Sequence, residues 1–97
     1  MAEEKSFEER VKRWLRQNGC YVVKYYGCGT TRAGIPDLLV CVKGKFLAVE
    51  LKAEKGVTTP LQETQLNLIA KSGGVGIVLK PSGFMEFKRY VQELMKC

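Results

Sequence analysis

The sequence predicts an α/β protein, a single domain over residues 1–97 with a mixed four-stranded sheet flanked by helices. Three observations lead there. Phe7, Val11, Trp14 and Leu15 recur at helical spacing, as do Phe87, Val91, Leu94 and Met95. Between these ends lie short runs rich in β-branched and aromatic residues, two of them separated only by Lys43-Gly44, a tight hairpin turn. A proline-opened helix then separates the third run from the fourth and is long enough for a crossover, which makes those two strands parallel with a right-handed connection.

The elements follow in order. Ser6-Phe7-Glu8-Glu9 reads as a capping box, Ser6 the cap and Glu9 reaching back, with a helix running to about Gln17 and stopped by Asn18-Gly19. Tyr21 to Tyr26 is the first strand, followed by the glycine-rich loop from Gly27 to Gly34. Asp37 to Val42 and Phe46 to Lys52 form the hairpin. Thr59 caps the next helix and Pro60 takes its first position, where a missing N–H costs nothing. That helix runs to about Lys71, and Ser72-Gly73-Gly74 ends it. Val75 to Leu79 is the fourth strand, Pro81-Ser82-Gly83 a break, and the last helix reaches the terminus.

Composition narrows the function classes. The chain has 97 residues, 45% of them hydrophobic, enough for one modest core. No apolar run approaches the length of a membrane span, and Met1-Ala2-Glu3-Glu4-Lys5 lacks the apolar core of a signal peptide, so a cytoplasmic location is expected. The net charge of +6 favours a polyanionic partner, although the basic residues are scattered rather than gathered in a tail. Cys20, Cys28, Cys41 and Cys97 have no zinc-site spacing and are expected as free thiols. With no histidine, catalysis must use carboxylates, lysine, tyrosine or a metal-bound water.

The residues that resist a purely structural explanation are Asp37, Glu50 and Lys52. Side chains alternate along a strand, so Glu50 and Lys52 share one face. If Lys43-Gly44 is a two-residue turn, Val42 faces Lys45 and Asp37 falls directly opposite Glu50. A four-residue loop keeps that pairing, whereas a three-residue loop separates the two acids. Opposed residues have Cβ atoms roughly 4.5–5.5 Å apart, and like charges so placed repel. A divalent cation turns that repulsion into attraction, because Mg²⁺ binds through one or two carboxylates plus water and phosphate oxygens. Such a cation polarises a phosphate and activates water, with Lys52 placed to hold the water or neutralise developing charge. The plain alternative is a Glu50–Lys52 ion pair, which leaves Asp37 unexplained.

Other polar residues have competing explanations. Glu8 shares the inward side of the first helix with Val11 and Leu15, yet a charge near a helix N-terminus is also favourable on its own. Gln62 stands three residues after Thr59, where a capping-box glutamine belongs. Of Tyr25 and Tyr26, one is expected in the core and the other free to stack on a base or touch phosphate.

Gly34-Ile35-Pro36-Asp37 with Val49-Glu50-Leu51-Lys52 resembles the PD-(D/E)xK nuclease signature. Glu8-x-x-Val11-x-x-x-Leu15-x-x-x-Gly19 is similar to the N-terminal helix motif of archaeal Holliday-junction resolvases. Thr59-Pro60-Leu61-Gln62 resembles the Ser-Pro-x-Gln element of the VRR-NUC branch, with threonine where serine is usual. The resemblance spans nearly the whole chain and implies a restriction-endonuclease-like αβββαβ(α) core. It implies that Asp37, Glu50 and the backbone carbonyl of Leu51 ligate Mg²⁺ or Mn²⁺, that Lys52 positions the nucleophilic water, that Glu8 contributes through a water or a second metal, and that Gln62 orients Lys52 or the phosphate.

The expected function is therefore a metal-dependent, structure-specific DNA endonuclease, a Holliday-junction resolvase acting as a homodimer in a bacterium or a phage-infected cell. Lys24, Tyr26, Arg32 and Lys55 are the candidate DNA contacts. The apolar face of the last helix and the strand Tyr21–Tyr26 are the candidate dimer surfaces. Flap, nick or restriction-type cutting would use the same chemistry; a non-catalytic basic DNA-binding module is the alternative of another class, and the intact Asp37/Glu50/Lys52 set argues against it.

Overall fold

A computed structural model describes residues 2–27 and 33–96, with side chains from residue 5 onward. Arg32, Cys28, Cys97 and the centre of the glycine-rich loop lie outside the described residues. The chain runs α1 (Ala2–Gln17), β1 (Tyr21–Lys24), β2 (Leu38–Val42), β3 (Lys45–Leu51), α2 (Pro60–Lys71), β4 (Val75–Leu79), a single 3₁₀ turn (Pro81–Gly83) and α3 (Phe84–Met95). The sheet order is β1-β2-β3-β4. The β1–β2 and β2–β3 pairs are antiparallel, and β3 and β4 are parallel, as the α2 crossover requires.

Alternation sorts the sheet residues into two faces. Register aligns Val22, Val40, Leu47 and Val75 across all four strands, and Leu38, Val49 and Ile77 one step along. Those residues, with Phe7, Val11 and Leu15 of α1 and Phe87 and Val91 of α3, form the core. The second face carries Tyr21, Val23, Cys41, Phe46, Ala48 and Gly76. Helix α2 lies over its β3–β4 half, so close that a Cβ on Gly76 would stand 2.9 Å from the carbonyl oxygen of Leu66. The β1–β2 half of that face stays open, with Tyr21 71% and Val23 42% exposed, and Phe46 at the start of β3 is 42% exposed beside it.

Three sequence expectations need correction. Helix α1 begins at Ala2, which places Ser6 inside the helix rather than at its cap. The preceding Ala-Glu-Glu-Lys residues are good helix formers, and acidic side chains suit a helix start, so the helix extends past the capping signal. Glu9 bonds Lys12 instead, at 3.0 Å. Strand β1 ends at Lys24, short of Tyr25 and Tyr26, although the Tyr25 N–H still donates to the Asp37 carbonyl at 2.8 Å. The apolar face of α3 is no dimer surface at Phe87 and Val91, which are buried against the sheet. Cys20 is a buried free thiol and Cys41 an exposed one.

Candidate active site

The hairpin turn sets the site. Lys43 (φ 50°) and Gly44 (φ 85°) both have positive φ, the requirement of a two-residue type I′ turn. Val42 therefore pairs with Lys45, and the ladder continues to Leu38 opposite Val49. Asp37 is the residue just before β2, one step beyond the last ladder pair, and lies near enough to Glu50 for its charge to act on that carboxyl. The two-residue turn that the parity argument needs is present, although Asp37 precedes the strand rather than opening it.

Asp37 is fixed on both sides. Its carbonyl accepts from the Tyr25 N–H, and its carboxylate Oδ2 accepts from the Leu51 N–H at 2.8 Å. The loop before it is pinned against α2. Gly34 has φ +83°, and a Cβ there would lie 2.5 Å from the Leu61 carbonyl oxygen. Only glycine meets both the conformation and the contact.

Glu50 is 4% exposed and enclosed between the sheet and α2. Its Oε2 accepts from Gln62 Nε2 at 2.9 Å and lies 3.8 Å from the Lys52 ammonium. Its Oε1 is buried and has no hydrogen-bond partner among the described residues. Burial, followed by the charge of Asp37, pushes the Glu50 carboxyl up to about 7, with Lys52 opposing the shift.

The Gln62 amide performs two tasks at once. Its Oε1 accepts from the Thr59 N–H at 2.9 Å, completing the capping box of α2, while its Nε2 holds Glu50. The expected cap is present, and the orienting contact goes to Glu50 rather than to Lys52.

Glu8 enters the same cavity from α1, beside Asp37, Glu50 and Leu51. Lys24 bonds its Oε1 at 3.0 Å, and Lys12 lies 3.2 Å from its Oε2. Burial raises the Glu8 carboxyl, but hydrogen bonds from Lys24 and Lys12 outweigh it and leave its pKa below the ordinary value. Among the described residues, no group of three or more His, Cys, Asp or Glu side chains is placed to hold a metal ion. Glu8 lies in the same cavity as Asp37 and Glu50, with its two oxygens bonded by Lys24 and Lys12.

Of the candidate DNA contacts, Tyr26 is 77% exposed and lines the cavity, and Lys55 is exposed on the loop before α2. Lys24 is placed differently from a surface cation: it lies within the carboxylates, also 3.5 Å from Asp37 Oδ1. Sequence reasoning missed this role and that of Lys12. The signals were there: Lys24 shares the inward phase of β1 with Val22, and Lys12 stands one helical turn from Glu8.

The arrangement brings together two neighbouring acids, a lysine two residues from one of them, and a glutamine anchoring that acid. Residues 2–79 match the family model of the archaeal Holliday junction resolvase (Hjc), and the chain belongs to that family of endonucleases. The fold is shared with solved structures. One, a VRR_NUC domain protein, superposes with a TM-score of 0.73 at 19% identity, covering 94% of this chain and 88% of that one. Another, the Hjc Holliday junction resolvase of the archaeal hyperthermophile Archaeoglobus fulgidus, superposes with a TM-score of 0.60 at 20% identity, covering 79% of this chain and 69% of that one. No curated protein matches the chain. The resemblance read from the sequence motifs agrees with these findings. Among the described residues no helix is long and apolar enough to cross a membrane.

Proposed function

We propose that this protein is a divalent-metal-dependent endodeoxyribonuclease that resolves four-way DNA junctions as a homodimer. The observation that carries the reading is the closeness of Asp37 to Glu50, with a buried Glu50 oxygen that has no hydrogen-bond partner among the described residues. Burying two like charges side by side is costly unless something cationic shares them. The donors present are hard oxygens from two carboxylates and the backbone carbonyl of Leu51, which suits Mg²⁺ or Mn²⁺ completed by water and phosphate rather than Zn²⁺. When bound, such an ion polarises the scissile phosphate and lowers the pKa of water.

The chain's own residues supply the rest. The Leu51 N–H fixes the aim of Asp37, and Gln62 fixes that of Glu50. Lys52 is the one to orient the attacking water and offset charge growing on the phosphate oxygens. Glu8, held by Lys12 and Lys24, acts from outside the ligand pair. Tyr26 and Lys55, with Arg32, remain the DNA contacts in this reading. The described residues of one chain carry one such site, and paired cuts in a junction call for two. The open face around Tyr21, Val23 and Phe46 is the surface we assign to that pairing.

The test is cleavage of an end-labelled four-way junction beside linear duplex, flap and nicked duplex, in Mg²⁺ or Mn²⁺. Symmetric cuts in the junction, lost in Asp37→Asn and Lys52→Ala, are expected. Preferential cutting of flap or nick would change the substrate and keep the chemistry. Cutting that survives both substitutions would remove the assignment.

A further inference from the structure

Lys24 has no role in the reaction just described, yet it occupies the centre of the site. Its side chain is only 21% exposed, and its ammonium bridges two elements, 3.0 Å from Glu8 Oε1 and 3.5 Å from Asp37 Oδ1. Asp37 Oδ2 accepts from the Leu51 N–H, and Oδ1 is the oxygen facing Lys24. The ammonium also lies 5.8 Å from the ring centroid of Tyr26, an exposed residue at the rim of the cavity.

We propose that Lys24 is a built-in counter-cation of the metal-free protein, displaced from Asp37 by the divalent ion and turned along the Tyr26 ring toward the DNA backbone. The inference rests on the metal reading above. A divalent ion on Asp37 Oδ1 and an ammonium at the same oxygen repel strongly at such separations. The longer Asp37 contact yields before the shorter one to Glu8. Aromatic faces attract ammonium groups, so Tyr26 offers a resting place on the way out. Metal and DNA binding then reinforce each other: the metal frees a cation for phosphate, and phosphate draws that cation away from the metal's oxygen.

Direct titration of the protein with Mn²⁺, followed by calorimetry, tests this. Lys24→Met is expected to bind Mn²⁺ roughly three- to tenfold more tightly than wild type, the size of a partly buried ion pair removed from competition. Lys24→Arg keeps the charge and should bind no more tightly than wild type, and Asp37→Asn should lose binding. In the cleavage-blocked Lys52→Ala background, Mn²⁺ should strengthen junction binding more than in the Lys24→Met/Lys52→Ala double variant. Unchanged or weaker Mn²⁺ binding by Lys24→Met, with Asp37→Asn still deficient, would overturn the counter-cation and leave the metal reading standing. Tighter binding by Lys24→Arg would overturn it as well, and covers the case in which Lys24→Met does not fold. Binding that ignores Asp37 in every variant would sink the metal reading and this inference together.

Discussion

Gln62 ties Glu50 to the first turn of α2: one end of its amide donates to the Glu50 carboxylate at 2.9 Å, and the other accepts from the Thr59 N–H at 2.9 Å. The helix cap and the buried acid are joined through one side chain. Two substitutions separate their contributions. Thr59→Ala removes the hydroxyl that caps the Gln62 N–H and should cost about 1 kcal/mol of stability, with cleavage within about threefold of wild type. Gln62→Ala should cost a similar amount of stability and also lower cleavage by roughly 10- to 100-fold, as loss of a supporting contact to a metal ligand does. Urea titration and single-turnover cleavage on the same preparations would decide; equal cleavage by the two variants would break the link.

Glu50 predicts an unusual pH response in metal-free protein. Its folded pKa of about 7 lies above the ordinary 4.5, so the unfolded chain releases this proton first as pH rises. The contribution of Glu50 is then most favourable below about pH 4.5, falls through the window up to pH 7, and is flat above it, a loss on the order of 3–4 kcal/mol. Glu50→Gln should abolish that slope and melt higher than wild type near pH 8 in EDTA, while failing to cleave. Added Mg²⁺ should raise the wild-type melting temperature more at pH 8 than at pH 5, because the ion needs the carboxylate ionised. A wild-type curve parallel to that of Glu50→Gln between pH 4.5 and 7 would contradict this.

The loop that delivers Asp37 should tolerate no side chain at Gly34. Gly34→Ala meets both a positive φ and the Leu61 carbonyl, and is expected to cost about 2–4 kcal/mol, with loss of cleavage. Gly19, also at positive φ but with open space around a Cβ, is the control: Gly19→Ala should cost only about 1 kcal/mol and keep activity. Denaturant midpoints would show whether the two differ.

The open half of the sheet provides a test of pairing between chains. Val23→Glu and Phe46→Lys place charge on exposed positions, so stability should change by less than about 1 kcal/mol. If this face joins two copies, light scattering should show the mass fall from dimer to monomer. A dimer that survives both substitutions would put the interface elsewhere.

Much of this site could be read from sequence because strand parity is strict. Once Lys43-Gly44 is a two-residue turn, the positions of Asp37, Glu50 and Lys52 relative to one another follow. The capping box at Thr59 and Gln62 was equally legible, since its spacing is local. That same local explanation hid the other end of the Gln62 amide, whose partner is 12 residues away in the chain. For Lys24, a candidate DNA contact by sequence, nothing nearby in the chain announces Glu8, 16 residues earlier on another element. The amphipathic face of α3 was visible, but periodicity cannot say whether an apolar stripe meets the chain's own sheet or a second copy; Phe87 and Val91 meet the sheet.

The contact of Gly34 with the Leu61 backbone has a mechanical consequence. It clamps the loop carrying Asp37 to the helix carrying Gln62, backbone on backbone, with no side chain between them to act as a spring. That close approach would, under the proposed reading, make the two segments move together rather than as a hinge that shuts around its target. Under the proposed reading, most of the bending falls to the nucleic acid. Substrates already parted at a crossing point bend more cheaply than a stacked, continuous duplex. Rigidity alone would then bias such an enzyme toward branched DNA, without any base being read.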